Sequence, residues 1–404
     1  MTKSLIRLRL RPRGAVGARE SHESHRVSTP LELFFDLCFV VAVGQAGREL
    51  AQAIGQGHIA HGLGSYAAVF FAVWWPWVNY SWFASAFDPD DVPFRLATFV
   101  QIAGSLVIAA GVPRAFEHHD YSVAVVGYVV VRLAFASQWL RVYRDNPPLR
   151  GLALRWGGGV LVVQLLWVLL QVCVHASTPF EVGFVVLGGV ELLVPYWAGR
   201  AGRMPFHAHH ISERYGLFTL IVLGETVSAA TVAIQEAMNV HEDGPELVLL
   251  ALGALLIVFV AWWIYFAHEA ADLLGERAAQ FLWGYGHYLI FASAASIGAG
   301  AEVDAAWTTG SEPISATVAA AAITVPTAVF LVMVWVLQAR HFKSGWEQAI
   351  MPAAAAAVLL CTLAGGYAAF PAGLCCAAAV LLGLYAQRLG PAGEGGSEPA
   401  QAAG

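Results

Sequence analysis

The chain has 404 residues, of which 58% are hydrophobic and 12% are charged, and its formal net charge is −6. Soluble domains average about 25% charged residues, and a soluble protein this apolar would expose large hydrophobic patches. The composition therefore excludes an ordinary soluble domain and indicates an integral membrane protein. The small net charge gives no sign of a nucleic-acid partner, and the lipid bilayer is the partner we expect.

Apolar stretches long enough to cross a bilayer, which takes about 20 residues, recur along the whole chain. They predict an all-α integral membrane protein with about twelve transmembrane helices, near residues 30–52, 62–85, 95–113, 121–143, 153–175, 179–199, 211–235, 246–268, 280–300, 314–338, 347–368 and 371–389. Little more than Phe370 and Pro371 separates the last two spans. One re-entrant unit is the alternative there, and the count could be eleven or thirteen.

The basic residues predict how these helices are oriented, because cytoplasmic loops of membrane proteins are enriched in Lys and Arg. Twelve spans with a cytoplasmic N-terminus put all but three of the 22 basic residues inside, the exceptions being Arg48, Arg114 and Arg132. The Arg-rich residues 1–28 are interpreted as a basic cytoplasmic tail, with an organellar presequence as the alternative. Residues 390–404 are expected to form a disordered tail. Both termini are then cytoplasmic.

Two signals indicate that the chain contains an internal repeat. The pair Trp74-Trp75 of span two has a counterpart in Trp262-Trp263 of span eight, and Gly44 of span one has one in Gly224 of span seven. Repeats of six helices have the same orientation and are related by an axis along the membrane normal. We therefore divide the membrane part into two tandem six-helix repeats, residues 29–200 and 201–389.

Acidic residues inside the predicted spans are the first candidates for a functional site, since charges in hydrocarbon are costly and usually face the bundle interior. Glu225 lies near the middle of span seven. Glu32 and Asp36 lie four residues apart at the start of span one, on one helix face. Capping of the helix dipole is the alternative role of Glu32. Another register of the repeat aligns Asp36 with Glu225.

Arg132 lies in the middle of span four and needs a partner, because an unpaired buried charge costs several kcal/mol. Asp36, Glu191 and Glu225 are the candidate partners. His287, inside span nine, is a candidate proton relay. Its alternative role is a histidine that is merely hydrogen-bonded to a neighbour.

Glu213 completes the candidate set at the mouth of span seven, three residues after His210. That spacing can bind a divalent metal, but a solvated loop is the preferred interpretation, and we expect neither a metal nor a cofactor. Four tryptophans of span two either line a cation pathway through cation–π contacts or pack against small residues; they are Trp74, Trp75, Trp77 and Trp82.

Two segments resemble the signatures of a known family. The segment PLELFFDL, residues 30–37, and the segment HISERYGLFTLIVLGE, residues 210–225, resemble those of the bacterial low temperature requirement A proteins. The likeness extends over nearly the whole chain. It implies a multi-spanning inner-membrane protein linked to growth in the cold, and it supplies no substrate or mechanism.

The stretch Phe34-Phe35-Asp36 and the two-by-six layout are also similar to the organelle potassium channels, whose pore-lining first helix carries a Phe-Ser-Asp motif in each repeat. The middle Ser is absent here, and span seven lacks the motif.

The expected function is that of a transporter or permease-like protein, in which a central site of buried carboxylates moves a small solute or ion. Glu225 and Asp36, with Arg132, are the residues expected to form that site. An ion channel is one alternative, and a non-transporting membrane protein that supports growth at low temperature is another. No Walker loop, G-x-S-x-G, H-E-x-x-H or dinucleotide fingerprint is present, so no enzyme is expected.

Overall fold

The computed structural model describes residues 14–17, 27–87, 89–174, 177–240, 245–275 and 277–389. Within these ranges the long elements are twelve α-helices: α1 Pro30–Gly55, α2 Ile59–Phe87, α3 Val92–His118, α4 Ser122–Asp145, α5 Arg150–Cys173, α6 Ser177–Ala198, α7 Ala208–Val240, α8 Pro245–Tyr265, α9 Arg277–Thr308, α10 Ala316–Leu337, α11 Ile350–Leu360 and α12 Ala369–Leu389. All twelve predicted helices are present, so the predicted all-α membrane class is confirmed.

Eleven of these helical segments are long and apolar enough to cross a membrane. The twelfth, α2, has 29 residues and no Asp, Glu, Lys or Arg, and its content of Trp, Tyr, Asn and Ser explains its lower hydropathy. Helix α11 continues into a 3₁₀ segment, Cys361–Tyr367, in which Gly365 adopts a positive φ of 60°. This break lets the chain turn before α12, and the segments on either side are each long enough to cross a bilayer.

The surface of the bundle is apolar and its interior contains charged residues, the reverse of a soluble protein. Side chains such as Val185, Leu165 and Leu381 are 60–73% exposed, whereas Asp36 and Arg214 are completely buried. An apolar exterior is stable only in lipid. The chain is therefore a multi-pass membrane protein.

Helix α1 lies at the centre of the bundle and packs against α2, α3, α7 and α9. The packing of α1 on α3, α3 on α4, α4 on α5 and α5 on α6 recurs six helices later, as α7 on α9, α9 on α10, α10 on α11 and α11 on α12. This recurrence is what two tandem repeats would produce, and the repeat itself stays a prediction.

The helix ends lie on two sides, which we call the N-terminal side, where α1 begins, and the distal side, where α1 ends. On the N-terminal side the backbone N–H of Ser28, just before α1, donates to Glu213 Oε1 in the first turns of α7 at 3.2 Å. On the distal side Gly55, at the end of α1, lies against the side chain of Glu312, which precedes α10. The first and second halves therefore contact each other at both ends.

Residues 14–17 pack against the N-terminal side. Val16 is buried, the N–H of Gly14 donates to Asp91 Oδ2 at 2.9 Å, and the N–H of Val16 donates to Asp145 at 3.1 Å. Within the predicted basic tail this short stretch is thus held by the helix ends. The rest of residues 1–26 and residues 390–404 lie outside the described residues.

Asp91 connects the stretch of residues 14–17 with α3 and α4 on the N-terminal side. Its Oδ1 caps α3 by accepting from the N–H of Phe94 at 2.9 Å, and Arg141 of α4 lies 2.5 Å from its Oδ2. Burial raises the pKa of Asp91, but the hydrogen bonds from Arg141, Gly14 and Phe94 outweigh burial and hold that pKa below its ordinary value.

We predict that Asp91→Asn lowers stability by roughly 1–2 kcal/mol, because the charged hydrogen bonds to Arg141 are lost. Since the folded-state pKa of Asp91 is depressed, its contribution is present above the unfolded pKa of about 4 and is lost as the pH falls through the lower folded value. Thermal unfolding in detergent, compared at neutral and acidic pH, measures the difference.

The control for this prediction is Asp90→Asn. Asp90 makes a partly exposed ion pair with Arg95 at 2.8 Å. Surface pairs contribute about 0–1 kcal/mol. Equal losses in the two variants would contradict the role given to Asp91.

Candidate functional site

A buried ion pair joins α1 to α7. Arg214 Nη2 lies 2.5 Å from Asp36 Oδ1, and both side chains are 0% exposed. The indole N–H of Trp77 in α2 donates to the same Asp36 oxygen at 2.7 Å. Arg214 also donates to Ser81 at 3.3 Å, and its guanidinium lies over the ring of Tyr80. Three helices thus meet at one neutralised pair.

Glu32 extends this group by one helical turn. Its Oε2 accepts from the N–H of Thr29 at 2.7 Å, which completes a capping box at the start of α1. Its Oε1 lies 3.2 Å from His210 Nε2 and 3.7 Å from Arg214 Nη1. The predicted shared face of Glu32 and Asp36 is present, because both residues contact α7.

Arg214 is the functional candidate that sequence reasoning missed. It belongs to the second motif, one residue after Glu213, and the predicted topology treats it only as one of the basic residues on the cytoplasmic side. It lies four residues after His210, as Asp36 lies four residues after Glu32, so two acidic positions face two basic ones across the α1–α7 contact. That complementary spacing was the available signal.

Arg132 pairs with Glu191 of α6, one of its three predicted partners. Arg132 Nη2 lies 2.8 Å from Glu191 Oε1, and the two side chains are 1% and 0% exposed. Tyr128 and Trp167 donate to Glu191 Oε2 at 2.7 and 3.0 Å, and Gln164 donates to Oε1 at 3.5 Å. These contacts connect α4, α5 and α6 inside the first half of the chain.

Glu225 has a different environment from these buried pairs. Its nearest cation is Arg48 of α1, with Nη1 3.7 Å from Oε1, and the side chains of Arg48 and Glu225 are 51% and 30% exposed. The carboxylate lies directly over Gly44, where an added Cβ would be 2.1 Å from Oε1. At Gly224, by contrast, an added Cβ would meet no atom within 4 Å. The close approach thus occurs at the glycine of α1 and not at that of α7.

Further acidic residues surround Arg48 toward the distal side. Arg48 donates to Gln45 at 2.6 Å, and Gln45 donates to Glu49 at 3.0 Å. Glu302 of α9 lies within electrostatic range of Arg48, Glu49 and Glu236. Carboxylates therefore outnumber cations in this group, which we call the acidic vestibule: Arg48, Glu49, Glu225, Glu236 and Glu302.

His287 lies among aromatic rings in α9 and is completely buried. Its Nδ1 is 2.6 Å from the carbonyl oxygen of Trp283, and its Nε2 is 3.1 Å from the hydroxyl of Tyr265. The rings of Tyr215 and Phe291 flank it. These contacts match the structural alternative; a proton-relay role stays a prediction.

The structure does not bring Asp36, Glu225 and Arg132 together. Each has its own partner on a different helix: Arg214 on α7, Arg48 on α1 and Glu191 on α6. The expected single central site is corrected to two buried pairs and one partly exposed pair. Sequence spacing places a charge within a span, but tertiary packing decides which opposite charge it meets.

The comparisons with known proteins identify the family. The sequence model of the bacterial low temperature requirement A protein (LtrA) matches residues 27–386. The chain belongs to the LtrA family. A protein of Rhizobium meliloti (strain 1021), described as uncharacterized, is 28% identical over 287 residues, which cover 67% of each chain. The predicted family is thus confirmed. The two motifs that indicated it, residues 30–37 and 210–225, contact each other through the Asp36–Arg214 pair.

We predict that Arg214→Met destabilises the protein by on the order of 3–5 kcal/mol, because it leaves Asp36 buried without its cation. The double variant Asp36→Leu/Arg214→Met should recover most of that loss, since it removes both charges. Tryptophan fluorescence during chemical unfolding in detergent measures both variants.

Arg95→Met serves as the matched control, because it removes an arginine from a partly exposed ion pair. If Arg214→Met were no more damaging than Arg95→Met, the Asp36–Arg214 pair would not support the fold.

Proposed function

We propose that this LtrA-family protein is a transporter-like protein of the inner membrane, and not an enzyme, and that it moves a small solute or ion past Glu225. The observation that carries the proposal is the partial exposure of the Glu225–Arg48 pair, whose carboxylate lies near the middle of α7. The Asp36–Arg214 and Arg132–Glu191 pairs are, by contrast, buried.

Partial exposure at this depth has a physical meaning. A charge facing lipid near the bilayer centre is costly, so an ionisable residue there usually faces a water-filled cavity or a partner. Arg48 and Glu225 are 3.7 Å apart and retain accessible surface. Water or a dissolved ion reaching this pair from the distal side accounts for that surface at the lowest cost.

The acidic vestibule supports a preference for cations or protons. Its carboxylates create a negative potential that raises the local concentration of positive ions. A cation that binds Glu225 would compete with Arg48, which has Gln45 and Glu49 on its own helix as alternative partners. Exchange of partners by Arg48 is the step that we propose for binding and release.

The opposite end of the same helices is closed in this structure. Asp36 precedes Gly44 by eight residues, about 12 Å along α1. Between these levels the rings of Trp77, Phe218 and Phe291 pack at centroid distances of 4.3–5.5 Å. A route from the distal side to Glu225 would therefore end at an aromatic layer, as alternating access requires of one closed side.

The buried charge pairs are also compatible with an alternative to transport, a non-transporting membrane protein. Asp36–Arg214 and Arg132–Glu191 are buried pairs of opposite charge, which suit a non-transporting membrane protein as well as a rigid transporter scaffold. A channel would instead need a route continuous through the aromatic layer. Flux and current measurements on the purified protein separate the three, because a carrier gives slow saturable flux, a channel gives unitary currents and a non-transporter gives neither.

We predict that Glu225→Gln abolishes ion or solute flux in proteoliposomes while the protein still folds, because the substitution keeps the shape of the side chain and removes its charge. A screen of metabolites and small cations with the wild type identifies the transported species. Flux of the variant is then compared at equal protein density.

Two controls accompany that measurement. Glu246→Gln removes a partly exposed carboxylate at the start of α8, which accepts a hydrogen bond from Tyr367 at 3.4 Å, and it should leave flux unchanged. Gly44→Ala should reduce flux because its methyl group displaces the Glu225 carboxylate. Gly47→Ala has room, because its added Cβ would lie 3.9 Å from the carbonyl oxygen of Ala295. Normal flux in both Glu225→Gln and Gly44→Ala would refute the proposed site.

We also propose that both termini are cytoplasmic, on the basis of the basic residues at the N-terminal side and the even number of helices. A C-terminal green fluorescent protein fusion should then be fluorescent, and a C-terminal alkaline phosphatase fusion inactive, because these reporters function on opposite sides of the inner membrane. The reverse result would invert the topology and place the acidic vestibule in the cytoplasm.

A further inference from the structure

A second feature of the molecule lies on the N-terminal side, away from Glu225. A cavity of about 470 Å³ opens between the two halves, with walls from α2, α5, the end of α6, the connection to α7, and the start of α9. Cavities of 300–1,000 Å³ are of the size that encloses most of a small organic ligand.

The walls of this cavity are mainly aromatic. Trp75 and Trp82 of α2, Trp156 of α5 and Tyr285 of α9 line it, and the rings of Trp75 and Tyr285 meet edge to face at 5.4 Å. Aromatic walls bind apolar and planar groups by area and by stacking. The body of a ligand that fits here is therefore apolar or aromatic.

The indole N–H groups of the cavity tryptophans are either hydrogen-bonded within the protein or buried. Trp82 donates to Tyr215 at 3.1 Å, and Trp156 donates to Asn79 at 3.3 Å. The N–H of Trp75, a side chain that is 1% exposed, has no acceptor among the described residues. That nitrogen has no surface open to the cavity, so the tryptophans offer a ligand their apolar ring faces and not their N–H donors.

The charge of the cavity is positive. Arg203 lines it, and none of the described lining residues is Asp or Glu. Arg200 lies next to the lining, where its guanidinium stacks on the lining residue Tyr196 at 5.2 Å. Arginine recognises carboxylates and phosphates through paired N–H donors.

We propose that this cavity binds a small amphipathic anion, with its apolar or aromatic body against the tryptophans and its carboxylate or phosphate on Arg203. Either a free organic acid or the head of an anionic lipid has this chemistry. The site is separate from the Glu225 pathway, and it holds whether or not that pathway transports.

The test uses full-length protein in phosphatidylcholine nanodiscs and energy transfer from tryptophan to a bound dansyl group. Dansylglycine, which carries a carboxylate, should bind, and dansylcadaverine, which carries an amine, should bind much more weakly. Arg203→Ala should weaken dansylglycine binding by about tenfold or more, the value of a charged hydrogen bond. Arg144→Ala, an exposed arginine at the end of α4, is the matched control and should bind normally.

A second variant tests the volume of the cavity independently of its charge. Gly275 lies at the mouth, and an added Cβ there meets no atom within 4 Å, so Gly275→Phe should fold and should block dansylglycine. Gly158→Phe, at a position on α5 that is equally open, should not. Absence of energy transfer with the wild type, equal binding of both probes, or unchanged binding in Arg203→Ala and Gly275→Phe would overturn the proposal.

The source of the anion is read from competition. If phosphatidylglycerol in the nanodisc displaces dansylglycine, a lipid head occupies the site; if it does not, a free organic acid does. These are binding measurements without flux, so their failure leaves the Glu225 proposal untouched, and a failure of flux leaves the cavity proposal untouched.

Discussion

Two opposite charges in a low-dielectric interior attract each other strongly, and each is costly to bury alone. In this protein that constraint is met first by Asp36 and Arg214, which lie 2.5 Å apart and are completely buried. The pair fixes α1 against α7, and the Trp77 donor brings in α2. Because α1 also packs on α3 and α9, this pair lies where the central helices meet, and their packing must keep the two charges together.

Two further pairs of opposite charges, Arg132–Glu191 and Glu225–Arg48, meet the same constraint in different ways. Arg132 and Glu191 are neutralised within the first half, with Tyr128, Trp167 and Gln164 satisfying the carboxylate. Glu225 and Arg48 are not sealed in, and acidic residues surround them. An ionisable residue inside a membrane protein usually faces a water-filled cavity or a partner. We therefore assign the buried pairs to the scaffold and the partly exposed pair to the candidate site.

Predictions from the sequence succeeded where a local pattern carries the information. Twelve apolar stretches became twelve helices, and the boundaries differed in both directions: α7 begins at Ala208 instead of 211, whereas α8 ends at Tyr265 instead of 268. Glu32 was interpreted correctly as a possible cap, because a capping box is local. The grouping of Asp36, Glu225 and Arg132 was wrong, because depth along a span does not determine which helix stands opposite.

By itself the sequence determined the solvent, the number of helices and the family, since hydropathy and short motifs are properties of neighbouring residues. It also indicated that Asp36, Arg132, Glu191 and Glu225 would need partners. Only the tertiary structure decided those partners. It also placed the Glu225 carboxylate directly over Gly44 and formed the aromatic cavity, lined by Arg203, between the two halves. These features join residues from helices distant in sequence, and their energies depend on burial and distance, which arise only when the helices pack.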